Sequence, residues 1–84
     1  MYCFITNPVP NDFVLKSNEE KTFLGKLTEL FLPISSISNE GEVFIPKKSI
    51  LKFFDGRKKI ARFFKRRLPE MVRFKKEDCI LHNN

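Results

Sequence analysis

Ile50-Leu51-Lys52-Phe53-Phe54 returns ten residues later as Ile60-Ala61-Arg62-Phe63-Phe64, with Asp55-Gly56 between the two copies. This echo restricts the fold more than any other feature of the chain. On one continuous helix, at 100° per residue, the apolar positions of the two copies would together cover roughly 240° of the circumference. Arg57 would fall in the middle of that arc. Such a helix cannot be cleanly amphipathic. A break at Asp55-Gly56, a strong turn pair, gives instead two short helices, each with its own compact apolar side. Leu68-Pro69 ends the second one. Val72-Arg73-Phe74 then alternates like a half-buried strand, and 75–81 is expected to form a short closing helix.

Charge divides the chain at about the same place. Residues 1–46 hold three Lys and six Asp or Glu, a net of −3; residues 47–84 hold thirteen Lys or Arg and four Asp or Glu, a net of +9. A total of +6 thus conceals a positive field gathered on one half. In the second helix Ile60, Ala61, Phe63 and Phe64 are expected to face inward. Lys58, Lys59, Arg62, Lys65 and Arg66 then cover the outer side.

The acidic half is read as residues 1–45. Tyr2 to Thr6 suggests a short strand, closed by the turn signals Asn7-Pro8 and Pro10-Asn11-Asp12. Ser17 with Glu20 three residues on makes a capping-box pattern for a helix over 18–31. Phe23, Leu24, Leu27, Leu30 and Phe31 form its stripe, Gly25 weakens it and Pro33 stops it. Residues 34–42 read as a polar linker with a turn at Asn39–Gly41. Val43-Phe44-Ile45 reads as a strand stub.

Eighty-four residues make one small domain with a marginal core, and ten Phe enlarge what that core can bury. No stretch nears the ~20 apolar residues of a membrane span, and no leader is expected at the N-terminus. Two cysteines, Cys3 and Cys79, suit free thiols of a reducing compartment, with a bridge between them as the alternative. One His and no Cys-x-x-Cys pair do not assemble a metal site. With three Gly, no phosphate-cradling loop exists. Cys79 and His82 lie too near the chain end to suggest a nucleophile pair. No catalytic residue, metal or cofactor is expected.

LKFFDGRKKIARFFKRRLPEMVRFKKEDCIL, within Pro46 to Leu81, resembles the winged helix-turn-helix domain of phage excisionases and the related MerR-type domains. Leu68-Pro69 matches the pair that follows the recognition helix, Val72-Arg73-Phe74-Lys75 resembles the wing, and Glu77-Asp78 resembles the start of the last helix. The chain departs from the pattern at Ile45-Pro46, where a Thr or Ser cap is usual, and at Asp55-Gly56-Arg57, which keeps only the turn's Gly. The wing also lacks an evident hairpin partner.

The fold class expected is therefore α+β: one domain over 1–84, with three or four short helices, a short β element and a winged-helix-like C-terminal half over 46–81. The function expected is non-enzymatic nucleic-acid binding, by a small DNA-binding regulator or recombination accessory factor of viral or mobile-element type. A major groove admits one helix, and Arg and Lys reach phosphates and guanine edges from it. The contact set is Arg57, Lys58, Lys59, Arg62, Lys65, Arg66 and Arg67, with Arg73, Lys75 and Lys76 on the backbone beside them. Duplex DNA is the first partner and RNA the second, because exposed Phe can stack on unpaired bases. The Phe pairs at 53–54 and 63–64 are read as core ahead of stacking, and Tyr2 as packing. A cytoplasmic location is expected, or a nuclear one in a eukaryotic host. Helix 18–31 would complete the core and offer a partner or homodimer surface. Two other readings stand beside this one: a small basic protein that docks on an acidic partner surface, and a membrane-surface helix over 47–68, against which the 240° arc argues.

Overall fold

A computed structural model describes residues 1–83. Two small antiparallel sheets enclose the core with the helices. One has the strand order β2-β1-β6, built from β1 (Tyr2–Ile5), β2 (Phe31–Pro33) and β6 (Cys79–His82). The other has the order β3-β4-β5, built from β3 (Ser36–Ile37), β4 (Glu42–Pro46) and β5 (Met71–Lys75). The helices are α1 (Asn18–Gly25), α2 (Lys47–Phe53) and α3 (Lys58–Arg67). The α+β class and the count of short helices agree with the sequence.

The echo does break into two helices. Gly56 sits between them at φ +89, a conformation that costs an L side chain about 1–2 kcal/mol and glycine almost nothing. Arg57 N–H closes the turn on the Phe54 carbonyl at 2.9 Å. Both copies send one Phe to the core: Phe54 and Phe64 are buried and stack at 5.1 Å between centroids. Phe63 is half-buried, edge-on to Phe64 at 5.2 Å and to Phe23 of α1 at 5.1 Å. Of the four, Phe53 alone is exposed, at 48%.

The helix pair is an insertion between two paired strands. β4 runs directly into α2, α3 returns the chain to β5, and β4 and β5 pair from Glu42↔Lys75 to Pro46↔Met71. Lys47 N–H donates to the Glu70 carbonyl at 2.9 Å, so the base of the insertion is latched where it leaves the sheet. Val43 and Ile45 of β4 and Val72 and Phe74 of β5 are fully buried beneath it. Each such side chain contributes about 1.5–3 kcal/mol of apolar burial.

Three expectations are corrected. The helix expected over 18–31 ends at Gly25; Lys26–Glu29 tightens into a 3-10 turn, and Phe31 enters β2. Gly25 weakens the helix, Pro33 forces its predecessor into extended backbone, and β1 offers an open edge to Phe31 and Leu32. The cap itself forms: Ser17 Oγ accepts from Glu20 N–H at 3.2 Å. Glu20 reaches back to Lys16 N–H at 2.7 Å, one residue before the cap. The linker 34–42 is not structureless, because Ser36–Ile37 pairs with β4. Its turn is where expected, with Gly41 at φ +82 and Ser38 Oγ accepting from the N–H groups of Glu40 and Glu42.

The closing helix expected over 75–81 is a 3-10 turn, Lys76–Asp78, followed by strand β6. Seven residues are too few for a self-supporting helix, whereas β1 still has an edge to satisfy. β6 pairs along it from Tyr2↔His82 to Ile5↔Cys79. This pairs the first strand with the last and sets the Cys3 and Cys79 side chains on the inner face of the sheet. Both are free thiols, and the Cys79 thiol is pushed far above its ordinary pKa by its hydrogen bond to Cys3 and by burial.

Candidate nucleic-acid interface

α3 has the sequence KKIARFFKRR, with six cations and no acid. Its burial follows the helical period: Phe64 is fully buried and Ile60, Ala61 and Phe63 are half-buried, while Lys58, Lys59, Arg62, Lys65 and Arg66 are exposed. Lys58, Arg62 and Arg66 fall at i, i+4 and i+8, one stripe along the helix. They form a ridge between two grooves. One groove, of about 570 Å³, lies toward α1 and is floored by Phe23 and Phe63. The other, of about 690 Å³, lies toward α2 and is lined by Leu51, Gly56 and Lys65 beside the same three cations.

The start of α3 is electrostatically unbalanced. No side chain caps it, and its first turn holds Lys58 and Lys59 with no acid. Arg57 stands at the cap position. The free N–H groups and the positive end of the dipole therefore face three cations, a combination that an anion relieves. At the other end Lys65, Arg66 and Arg67 oppose the negative pole, where they stabilise the helix.

The ten residues expected to form the contact set do not share one surface. Arg57, Lys58, Lys59, Arg62, Lys65 and Arg66 are together on and before α3. Of these, Lys59 is ion-paired with Glu19 of α1 at 2.7 Å and sits over the Phe23 ring. Arg67 turns the other way. Its guanidinium pairs with the buried carboxylate of Glu20, donates to the Val14 carbonyl at 3.3 Å and lies over the Phe13 ring at 4.9 Å. It anchors α1 to α3. Arg73, on β5, donates to Asp12 at 2.6 Å, with Glu42 3.8 Å away. The Arg73 hydrogen bond holds the Asp12 carboxyl below the usual carboxylate range. Lys75 and Lys76 are exposed at the far end of β5, in a cleft shared with Glu40, Glu42 and Glu77.

The acidic half therefore occupies part of the basic half. Glu19, Glu20, Asp12 and Glu42 take Lys59, Arg67 and Arg73. Among the described residues no carboxylate pairs with Arg57, Lys58, Arg62, Lys65 or Arg66. Which cations were tied down could not be read from spacing, because their partners lie 31 to 61 positions away in sequence. Lys48 and Lys52, outside the expected contact set, are also exposed, on α2. No helix is long and apolar enough to cross a membrane among the described residues. No family model, curated protein or solved structure matches the chain.

Proposed function

We propose that the protein is a non-enzymatic nucleic-acid-binding protein that presents α3 to duplex DNA. The observation that carries this reading is the unpaired cationic ridge Lys58-Arg62-Arg66, flanked by Arg57 and Lys65, on a helix whose back is packed into the core. α2, the Gly56 turn and α3 then act as a helix-turn-helix, with the paired strands β4 and β5 at its base in the place of a wing. The resemblance to excisionase and MerR-type domains rests on the helix pair and the Leu68-Pro69 that follows it; the strand paired with β5 precedes α2, and a 3-10 turn and β6 stand where that pattern has its last helix. It suggests a small regulator or recombination accessory factor of viral or mobile-element type. Lys59 supplements the ridge when DNA competes with Glu19 for it. Arg67 and Arg73 serve the fold rather than the ligand.

The test is a salt series of fluorescence-anisotropy titrations with a labelled random duplex. The wild-type chain is expected to bind with a steep negative dependence on salt. Arg62→Ala with Arg66→Ala is expected to weaken binding strongly and to shrink the slope of log K against log salt by about 1.8, at about 0.9 per phosphate contact. A folded double variant with unchanged affinity rejects the assignment of α3.

A second reading is favoured by the groove between α1 and α3. Its apolar floor and its rim of both signs, Glu19 facing Arg62 and Arg66, suit a peptide segment of an acidic partner protein. In that case the chain is an interaction module or inhibitor. Duplex DNA that fails to bind, or that fails to compete with such a partner, favours this reading over the first.

A further inference from the structure

The sheet β2-β1-β6 buries one face and leaves the other partly open, with Phe4, Ile80 and His82 exposed and Tyr2, Phe31 and Pro33 half-buried. Cys3, Ile5 and Leu32 point into the core. The outward positions make two cross-strand rows, Phe31–Phe4–Ile80 and Pro33–Tyr2–His82. Four of these six residues carry aromatic rings. Phe31 lies 4.8 Å from Phe4, 5.0 Å from Tyr2 and 5.6 Å from His82, measured between centroids, and Phe4 lies 5.5 Å from His82. Phe4 is 39% exposed and Ile80 53%. No outward position holds a carboxylate. Beside β2 the face opens into a cleft of about 430 Å³ whose far wall is Ser49, Lys52 and Phe53 of α2.

We propose that this face is a stacking platform for single-stranded nucleic acid, with Tyr2, Phe4 and Phe31 beneath the bases and Lys52 at the phosphates. Every base has a π-face, so a sheet of exposed rings binds unpaired strands with little regard to sequence. The bases of a duplex are already stacked on each other and cannot use it. The charge selects this occupant over a second copy of the chain. A net +6 repels a copy and attracts a phosphate backbone, and Lys52, which pairs with no carboxylate among the described residues, gives that attraction a local contact. The composition selects it over an apolar partner helix, because Ile80 is the one open-chain aliphatic residue among the six. The inference is independent of α3, which lies on other elements.

Tyr2 is the only Tyr and the chain has no Trp, so intrinsic fluorescence reports on this face alone. The experiment titrates the full chain with an oligothymidylate of about twelve nucleotides, within the usual ~4–16 of a stacking groove. Tyr2 emission, corrected against free tyrosine amide, and anisotropy of the labelled strand are both read. Saturable quenching is expected. Phe4→Leu, which keeps an apolar side chain and removes the ring, is expected to weaken binding by about 5-fold to 100-fold. Lys52→Ala is expected to reduce the salt slope by about 0.7. Lys52 is exposed, so this variant decides the matter even if Phe4→Leu misfolds. Arg62→Ala with Arg66→Ala is expected to leave quenching intact, and a duplex is expected to leave Tyr2 emission unchanged, whether or not it binds α3. An oligothymidylate that fails to bind at low salt, or binds without quenching Tyr2, overturns the proposal. So does sedimentation that finds dimers which Phe4→Leu dissociates, since the face would then belong to a second copy.

Discussion

Arg67 and Arg62 are five residues apart on one helix, and their replacement by Ala is expected to have opposite consequences. Arg67→Ala removes the partner of Glu20, whose side chain is only 11% exposed. Breaking a fully buried ion pair costs about 3–5 kcal/mol, because the remaining charge is left without compensation. Two features reduce that figure here: Arg67 is 28% exposed, and Glu20 keeps its hydrogen bond from Lys16 N–H. The lost contact of the guanidinium with Phe13 adds about 0.5–1 kcal/mol. The expected cost is about 2–3 kcal/mol. An 84-residue domain has about 4–13 kcal/mol in total, so this is a large share. It corresponds to a fall in Tm of about 10–20 °C. Urea unfolding followed by far-UV circular dichroism measures it. Replacing both members, Glu20→Met with Arg67→Met, is expected to recover most of the loss, since no unpaired charge then remains. Below its melting temperature Arg67→Ala is expected to bind duplex DNA as the wild type does. An unchanged urea midpoint together with weakened DNA binding would show that Arg67 faces the ligand and that its role as an anchor is wrong.

Phe64→Ala is expected to cost about 3–5 kcal/mol, because the ring is fully buried between Phe54 and Phe63; calorimetry or urea titration reads the loss. Arg57→Ser supplies the cap that α3 lacks and is expected to raise stability by about 0.5–2 kcal/mol while weakening duplex binding. A stability gain with unaltered affinity would remove Arg57 from the contact set. For Asp12, the folded-state pKa lies below the unfolded value near 4, so its contribution is present above that value and is lost as pH falls through the folded pKa. The group is half exposed, so the contribution is under about 1 kcal/mol. Arg73→Ala is expected to remove this part of the acid sensitivity, seen as a smaller difference in urea midpoint between about pH 5 and about pH 3.

The features that could be read in the sequence were those with local causes. The Gly56 break, the Ser17 cap, the Gly41 turn and the inward face of α3 each follow from residues within one or two turns of one another. The failures share a different cause. Phe31 and Cys79-Ile80 sit in weak helical patterns, and both joined strands because β1 needed neighbours on its two edges. A strand that begins at Tyr2 thus decided the conformation of segments some thirty and eighty residues away, which no local window reports. The same pairing produced the ring-bearing face, since Tyr2, Phe4, Phe31 and His82 converge only once β1 lies between β2 and β6. Charge was legible in total and misleading in detail. Thirteen cations in the basic half were countable, but their division into anchors and free groups depends on Glu20, Asp12 and Glu42 arriving from the other half.

The central claim is that the free cations of α3 meet duplex DNA. Amide chemical-shift mapping of the isotope-labelled chain during titration with a random duplex tests it most directly. The account predicts shifts concentrated between Gly56 and Arg66, with β1, β2 and β6 unmoved. Shifts confined to the sheet strands, or none at low salt, would contradict it.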